Sequence, residues 1–543
     1  MNCWSGFLKA CLRAFILSLV FSLFWLAGRP LRGEVAFNLG NCFTGSTYSV
    51  DSPYVPPDCN GMAGPVHFVE LINGRFSVYN KTNGIRIFTS SDSTFWINAG
   101  ISLGGAGVSD PRLVYDPSVG RWFASAIDVN RGSEWSNRFL VAISASADPT
   151  KTWKGLAFQA DPAGNFADFP TLGLDNNGVY LGGYMFDTNG IEMGANTLIS
   201  IPKADLLAPS PTAARRKSFG LLTGDSYGHI LQPTINLDFD ESDGMVLAVE
   251  SLGFDRLPHS NLVWTAIQNA GGPGSASLGE PISQLVPNYS VPINPPQPGG
   301  DDNLDDGDAR LSANVYQVGG VVYGVHAIDV TDRAAVRWYR LSAAGGGLLE
   351  SGTISHPDLD LFYPSIAANK SGVMVIGCNG CSSNSYISCY AYVGQTVNGV
   401  TTMKGPILLK AGLATYNHPV SGSSSYRWGD YGTTSVDPVD PFRFWTIQMY
   451  PSTSDAWVTY ISEVRTALPQ LAIAATTPDQ VMLSWEGADG VLELESATAA
   501  DSMTWAPVTQ QPSSSQGKAQ VLVPTTGAAA FFRLKGAAGT QTQ

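Results

Sequence analysis

The sequence predicts an all-β protein: a seven-bladed β-propeller followed by a small β-sandwich. Three observations lead there. The 543-residue chain has 58 glycines and many aromatic residues but only 14% charged residues. That composition suits short strands and tight turns, not helix bundles, coiled coils or disorder. One local pattern returns seven times: an acidic, polar or tyrosine anchor beside proline or a small residue, an alternating apolar run, a Gly/Asn/Asp turn, and a second apolar run. After the seventh copy the pattern stops, and short alternating strands with polar turns take over.

The elements follow in chain order. Lys9 and Arg13 precede an apolar run from Ala14 to Ala27. A charged start and a short apolar stretch read as a signal peptide, assigned to residues 1–33. No later segment approaches the roughly 18 apolar residues that suggest a spanning helix. The mature chain is therefore expected without a transmembrane segment, secreted or held in the periplasm or outer cell envelope. Export permits disulfides, and Cys42 and Cys59 are expected to pair, tying the N-terminal extension to the first blade. Cys378, Cys381 and Cys389 lack a second Cys-x-x-Cys and so do not read as a zinc site.

The seven copies begin near Pro56, Ser109, Ala167, Leu231, Gly307, Phe362 and Trp428, with anchors Asp58, Asp110, Asp168, Gln232, Asp308, Tyr363 and Asp430. Period-two alternation makes the strands, and Asn73-Gly74, Asn177-Gly178, Asp243-Gly244 and Ser371-Gly372 make the turns. Each interval leaves room for two further strands, since a four-stranded blade needs about 40–50 residues. Excess length falls in loops such as Val291 to Asp308. The propeller is placed at 40–465. Residues 466–536 follow as an immunoglobulin- or fibronectin type III-like sandwich, with Trp485 and Trp505 as core anchors. Trp122, Trp428 and Trp445 are expected between blades.

Particular residues carry resemblances. The stretch PPDCNGMAGPVHFVELINGRFSVYNKTNG resembles the PPDTNGAVGPNH-type opening of a family of secreted bacterial propeller proteins. SDPRLVYDPSVGRWF, FYPSIAANKSGVMVIG and RWGDYGTTSVDPVDPFRFW resemble further segments of it. The resemblance implies the fold more than any chemistry. Cys59 stands where that family has threonine. The tail, with LSW, LELESA and FFRLKG, resembles a C-terminal sandwich module of secreted bacterial proteins. Ser146 to Trp153 is similar to the Asp-box of sialidases and other propellers, with Thr150 in place of its glycine. There it is a structural turn.

The formal net charge of −14 argues against nucleic-acid binding, which needs a basic footprint. No Gly-x-Ser-x-Gly elbow, P-loop or GxGxxG occurs. The anchors are expected to converge on one mouth of the propeller, where Arg112, Arg310 and Arg427 each lie within three residues of an anchor aspartate. The expected ligand site is thus Asp58, Asp110, Arg112, Asp168, Asp308, Arg310, Tyr363, Arg427 and Asp430. Clustered carboxylates repel one another unless protonated, matched by arginine, or bridged by a cation; alternatively each aspartate caps its own turn. Asp301, Asp302, Asp305 and Asp306 form the densest run of oxygen ligands, with calcium as the candidate ion. The leading expectation is an exterior binding module for glycan or protein. The alternative is a glycoside hydrolase of sialidase-like constellation: three arginines, a tyrosine and acids in a propeller mouth.

Overall fold

The structure is a computed structural model that describes residues 34–129, 136–239, 244–272, 276–300, 303–418, 425–477, 479–499, 502–524 and 530–536. The signal-peptide assignment and Asp243, Asp301 and Asp302 lie outside the described residues. The chain folds into two compact units, one centred on Phe37–Thr466 and the other built mainly from Ala467–Ser514 and Lys518–Ala537. Among the described residues, no helix is long and apolar enough to cross a membrane.

The larger unit is a seven-bladed β-propeller. Blade 1 comprises Gly61–Ala63, His67–Ile72, Arg75–Asn80 and Arg86–Ser90. Blade 2 is Gly107–Asp116, Arg121–Val129, Arg138–Ser144 and Trp153–Gln159; blade 3 is Phe166–Leu174, Gly178–Phe186, Glu192–Pro202 and Lys217–Thr223. Blade 4 is His229–Asn236, Gly244–Val249, His259–Gln268 and Ile282–Tyr289; blade 5 is Val315–Val318, Val321–Asp329, Ala334–Ser342 and Leu348–Ile354. Blade 6 is Asp360–Ala368, Val373–Ser382, Ser385–Val397 and Val400–Lys410. Pairing within each blade is antiparallel, while the innermost strands of blades 3, 4 and 5 also meet in short parallel registers such as Leu174↔Ile235 and Ile235↔Tyr316.

Burial follows position in the blade. Asp360–Ala368 and Val373–Ser382, the two inner strands of blade 6, are buried along their whole length, whereas Arg86–Ser90 at the outside of blade 1 is mostly exposed. Inner strands have neighbouring blades on both faces, so alternation gives way to continuous apolar runs. Trp428 and Trp445 pack with Phe68, Phe362 and Trp457 in a core shared by blades 1, 6 and 7. Trp122 is fully buried as well. All three tryptophans are core residues.

Blade 7 differs from the sequence expectation. Thr433–Val436, Arg443–Thr453 and Ala456–Thr477 supply three strands, and the fourth comes from the N-terminus, Ala36–Thr47. The ring is closed by a strand and not by a bridge. The expected Cys42–Cys59 disulfide is not formed, and both are free thiols. Cys42 rides on the closing strand beside Ser462 and Glu463, while Cys59 is buried in the core at the entry to blade 1. Cys378, Cys381 and Cys389 are also free and buried; burial pushes the Cys378 thiol up to about 12, which makes it unreactive. A second correction concerns Asn73-Gly74. It joins the second and third strands of blade 1, because the first strand is only three residues long. Asn177-Gly178 and Ser371-Gly372 join first to second strands, as expected.

One buried carboxylate ties the closure together. Glu70 accepts from the Ser46 hydroxyl at 2.7 Å, the Tyr79 hydroxyl at 2.8 Å and the Thr459 hydroxyl at 2.5 Å. It thus links the closing strand, blade 1 and blade 7. The hairpin Ser146 to Trp153 joins the last two strands of blade 2. There the Asp148 carboxylate accepts from the Thr150 amide at 3.0 Å and its hydroxyl at 2.7 Å, so this aspartate serves its own turn.

The smaller unit has two sheets. One carries the end of Ala456–Thr477 from Ala467 onward, then Gln480–Gly487, Lys518–Pro524 and Ser513–Ser515; the other carries Ala506–Pro507, Leu492–Ala497 and Phe531–Gly536. Leu483, Trp485, Leu494 and Val521 are buried in it. Trp505 is only half-buried, under the Arg533 guanidinium at 4.4 Å.

Candidate functional site

The site is built by a bulge repeated at the start of the innermost strands. Pairing with the second strand skips two residues in blades 2, 3, 4 and 6: Asp110-Pro111, Phe169-Pro170, Ile230-Leu231 and Tyr363-Pro364. The first residue of each pair has positive φ, at 57, 48, 55 and 45° respectively, and Asp58 before blade 1 has φ 52°. Such backbone is costly for bulky residues and is found where a side chain must be re-aimed. Phe169 and Tyr363 are aimed into a cavity. The anchors read from sequence are therefore not all equivalent. Asp58, Asp110 and Tyr363 occupy the positive-φ position, Asp168 precedes it by one residue, and Gln232 follows it by two. Gln232 instead donates to the Leu311 carbonyl at 2.6 Å.

The cavity has a volume of about 320 Å³ and opens beside Phe254 at its rim. Its wall is the segment Asp305 to Asp308 together with Arg427 and Asp430. The stretch from Val291 to Asp308, excess loop by its sequence, is here part of the site. It is held in place by a short parallel pair, Asn303–Asp305 with Ser425–Arg427, which sets Asp305 opposite Arg427. Gln297 also grips the Tyr416 backbone, accepting from its amide at 2.8 Å. Gly307, at φ 82°, makes the bend between Asp306 and Asp308, a left-handed backbone conformation that favours glycine.

Most charges around the cavity are matched. Arg310 donates to both Asp308 oxygens, at 2.8 and 2.6 Å, and the Arg310 amide is capped by the same carboxylate at 2.8 Å. Arg427 pairs with Asp430 at 2.5 Å and approaches Asp305 at 3.5 Å. Tyr363 donates its hydroxyl to the Asp305 carbonyl at 3.2 Å. The exception is Asp306, whose carboxylate is buried out of solvent without a charged partner. Burial, and then the neighbouring Asp305 charge, hold its carboxyl well above the usual range.

A second layer contains Asp58, Asp110, Asp168 and Arg112. Arg112 is buried and reaches across the propeller axis. It donates to the Pro170 carbonyl at 2.9 Å and the Ser312 carbonyl at 3.1 Å, and its guanidinium lies 3.5 Å from the centroid of the Tyr431 ring. Asn73, a turn residue by its sequence, joins two anchors. It donates to Asp58 at 2.8 Å and accepts from the Asp110 amide at 2.9 Å. The one signal for it in the sequence is the Asn-Gly pair of a turn, which it shares with Asn177-Gly178.

These placements bear on the expected chemistry. Asp58, Asp110, Asp168 and Asp430 feel one another's charge and the charges of Arg112, Arg310 and Arg427. Asp308 joins them through Arg310, and Tyr363 lies beside Arg427 and Asp430, so the structure brings the nine expected residues into one region. The three arginines are engaged by carbonyls or carboxylates and form no vacant clamp for a substrate carboxylate, which the sialidase-like constellation requires. Burial pushes the Tyr363 hydroxyl well up, against a role as nucleophile. Among the described residues, no group of three or more His, Cys, Asp or Glu side chains is disposed to hold a metal ion, and the charge of Asp305 is met by Arg427.

Asp110 gives a pH signature. Burial first, then Asp168 and Asp430, push its carboxyl up to about 7, against the Ser109 hydrogen bond and Arg112. The unfolded chain releases that proton near ~4. The contribution is therefore complete below that pH and lost as pH rises through the folded value. His326, buried and pushed down to about 4, works in the reverse direction and would blur a simple pH scan. The informative quantity is a difference. The stability of Asp110→Asn relative to the parent, from urea denaturation, should rise between pH 5 and pH 8. A constant difference would contradict the elevated carboxyl.

No protein-family model matches the chain, and no curated protein sequence matches it. Similar solved structures include an exo-β-1,3-galactanase of Phanerochaete chrysosporium with galactose, at 10% identity and TM-score 0.30, covering 92% of this chain and 97% of that one. Drosophila Plexin A in complex with Semaphorin 1b aligns at 8% identity and TM-score 0.36, covering 80% and 88%. A quinohemoprotein alcohol dehydrogenase of Comamonas testosteroni aligns at 10% identity and TM-score 0.33, covering 78% and 76%. Likenesses this distant say nothing about activity, and the propeller assignment stands on the seven blades themselves.

Proposed function

We propose that this protein is an exported binding module whose propeller mouth holds the end of a glycan. The observation that carries the reading is the cavity itself. It is about 320 Å³, walled by oriented carboxylate–guanidinium pairs and edged by the rings of Phe169, Tyr363 and Phe254. That size lies at the lower end of small-molecule sites, roughly 300–1,000 Å³. Fixed donors and acceptors beside aromatic rings suit a sugar, which offers hydroxyls at its edge and C–H groups on its face. The N-terminal sequence pattern supports export to the cell exterior or envelope.

Phe254 tests the reading with little risk to the fold, because the residue is 67% exposed. Phe254→Ala should weaken glycan binding about tenfold or more on a glycan array or by calorimetry, with the melting temperature unchanged. A glycan that binds parent and variant equally would place the site elsewhere. Glycoside hydrolysis is the second reading, favoured by one observation: Asp306, whose carboxyl burial holds well above the usual range, lines the same cavity as the arginine-paired Asp308 and Asp430. Release of reducing sugar from a bound glycan, lost in Asp306→Asn, would convert the module into an enzyme.

A further inference from the structure

The wall atoms that a ligand can reach decide which kind of sugar fits the cavity. The Arg310 side chain is 24% exposed, Arg427 25%, Asp430 21% and Asp305 31%, whereas the Asp306 and Asp308 carboxylates are closed off. Arg310 is fixed from two sides. Its Nε and Nη2 donate to the two Asp308 oxygens, and its guanidinium lies 4.5 Å from the centroid of the Phe169 ring. Its Nη1 donates to none of the described residues and is not sealed from solvent. Asp430 is its counterpart. Oδ1 faces the Arg427 guanidinium at 2.5 Å, while Oδ2 accepts from none of the described residues and is not sealed either. The two lie close enough for the Asp430 charge to act on Arg310. The wall thus offers a spare donor and a spare acceptor, both charged, side by side and held in place before any ligand arrives.

The charges around them are already spent. Asp305, Asp308 and Asp430 stand against Arg310 and Arg427, so neither guanidinium has charge left for an anion. A sugar carboxylate would meet surplus negative charge. An ammonium would bring donors only, beside a guanidinium, and would leave Arg310 Nη1 without an acceptor. A hydroxyl both accepts and donates, and its bonds to charged partners are the stronger kind.

We propose that the bound sugar end is uncharged, and that its hydroxyls bridge the wall, accepting from Arg310 Nη1 and donating to Asp430 Oδ2. This rests on the glycan reading above and names the class of sugar. The test is a glycan array of trisaccharides ending in glucose, galactose or mannose, each beside its uronic acid, its 2-amino form and its form methylated on the terminal hydroxyls, probed with the full chain at pH 7.5. At least one neutral end should bind about tenfold or more tightly than its three counterparts, as for lost hydrogen bonds to charged groups. Methylation is informative because an ether still accepts but cannot donate to Asp430.

Asp430→Asn keeps the shape of the side chain and relieves the charge that Asp58 and Asp168 feel from it. It also frees Arg427 from its partner, so the neutral end and its uronic acid should come to within about threefold of each other. A parent that binds the acid or amino form as tightly as the neutral one would overturn the inference while leaving glycan binding intact. So would a methylated end that binds undiminished, or a neutral preference that survives whole in Asp430→Asn. Binding of no member of the array would remove this inference together with the glycan reading. The parent comparisons stand by themselves should the variant fail to fold.

Discussion

Arg112→Met is expected to lower the unfolding free energy of the propeller by about 3–5 kcal/mol, the usual consequence of removing one partner from a buried charged network. Three losses combine. The Pro170 and Ser312 carbonyls lose their donors, the Tyr431 ring loses the guanidinium stacked on it, and Asp58 and Asp110 lose a cation that lowers their proton affinity. Methionine fills much of the same volume, so a cavity contributes little. Urea denaturation with the smaller unit intact gives the measurement. The double variant Arg112→Met with Asp110→Asn should recover part of the loss, because one of the stranded carboxylates is then neutral. A single variant as stable as the parent would mean that the arginine merely fills the axis.

Removal of the closing strand should have the larger effect. A chain beginning at Ser49 lacks Ala36–Thr47 and exposes the edge of the strand that starts at Ala456. It also removes the Ser46 hydroxyl and amide from buried Glu70, and the amide of Tyr48 from the Trp457 carbonyl at 3.0 Å. An open propeller presents a long unpaired strand beside an apolar core, a template for aggregation. The expected result is loss of cooperative melting and rapid proteolysis within blade 7. Glu70→Gln keeps the strand and should cost only about 1–3 kcal/mol, as for a buried hydrogen-bond partner weakened in place. A truncated chain that still melts cooperatively would show that the three strands of blade 7 suffice.

The seven hairpins are legible in the sequence because each carries its own turn residues and alternation, and these are local properties. The closing strand is not. AFNLGNCFTGST has ordinary strand character, and nothing within it names a partner more than 400 residues away. The convergence of the aspartates is legible because repeats stack in register, so that residues at like positions meet. Their differences are not legible. Asp168 and Phe169 are adjacent, and only the backbone reveals that the second of them takes the positive-φ position and faces the cavity. The cavity wall is hidden for a different reason. The stretch Asn303–Asp305 finds its strand partner, Ser425–Arg427, across two blades, and the segment from Val291 to Asp308 around it, rich in glycine, proline and aspartate, looks like solvated loop. Asp306 reads as one of several calcium ligands, since a run of acids does not disclose which member is buried.

The strand that completes the ring also sets the order of events in folding. It is made before any blade, yet its hydrogen-bond partners, among them Trp457 and Thr459, are among the last parts of the propeller to emerge. Until they do, six blades can stack but the first and last faces of the stack remain uncovered. Such a chain passes through a long interval in which it is nearly complete and still open, and contacts of this sequence separation are slow to form. Renaturation should therefore show early burial of tryptophans within single blades and a late phase in which Trp457 and Tyr48 become protected together. A factor that holds the first segment during that interval would raise the yield of folded protein without altering its final stability.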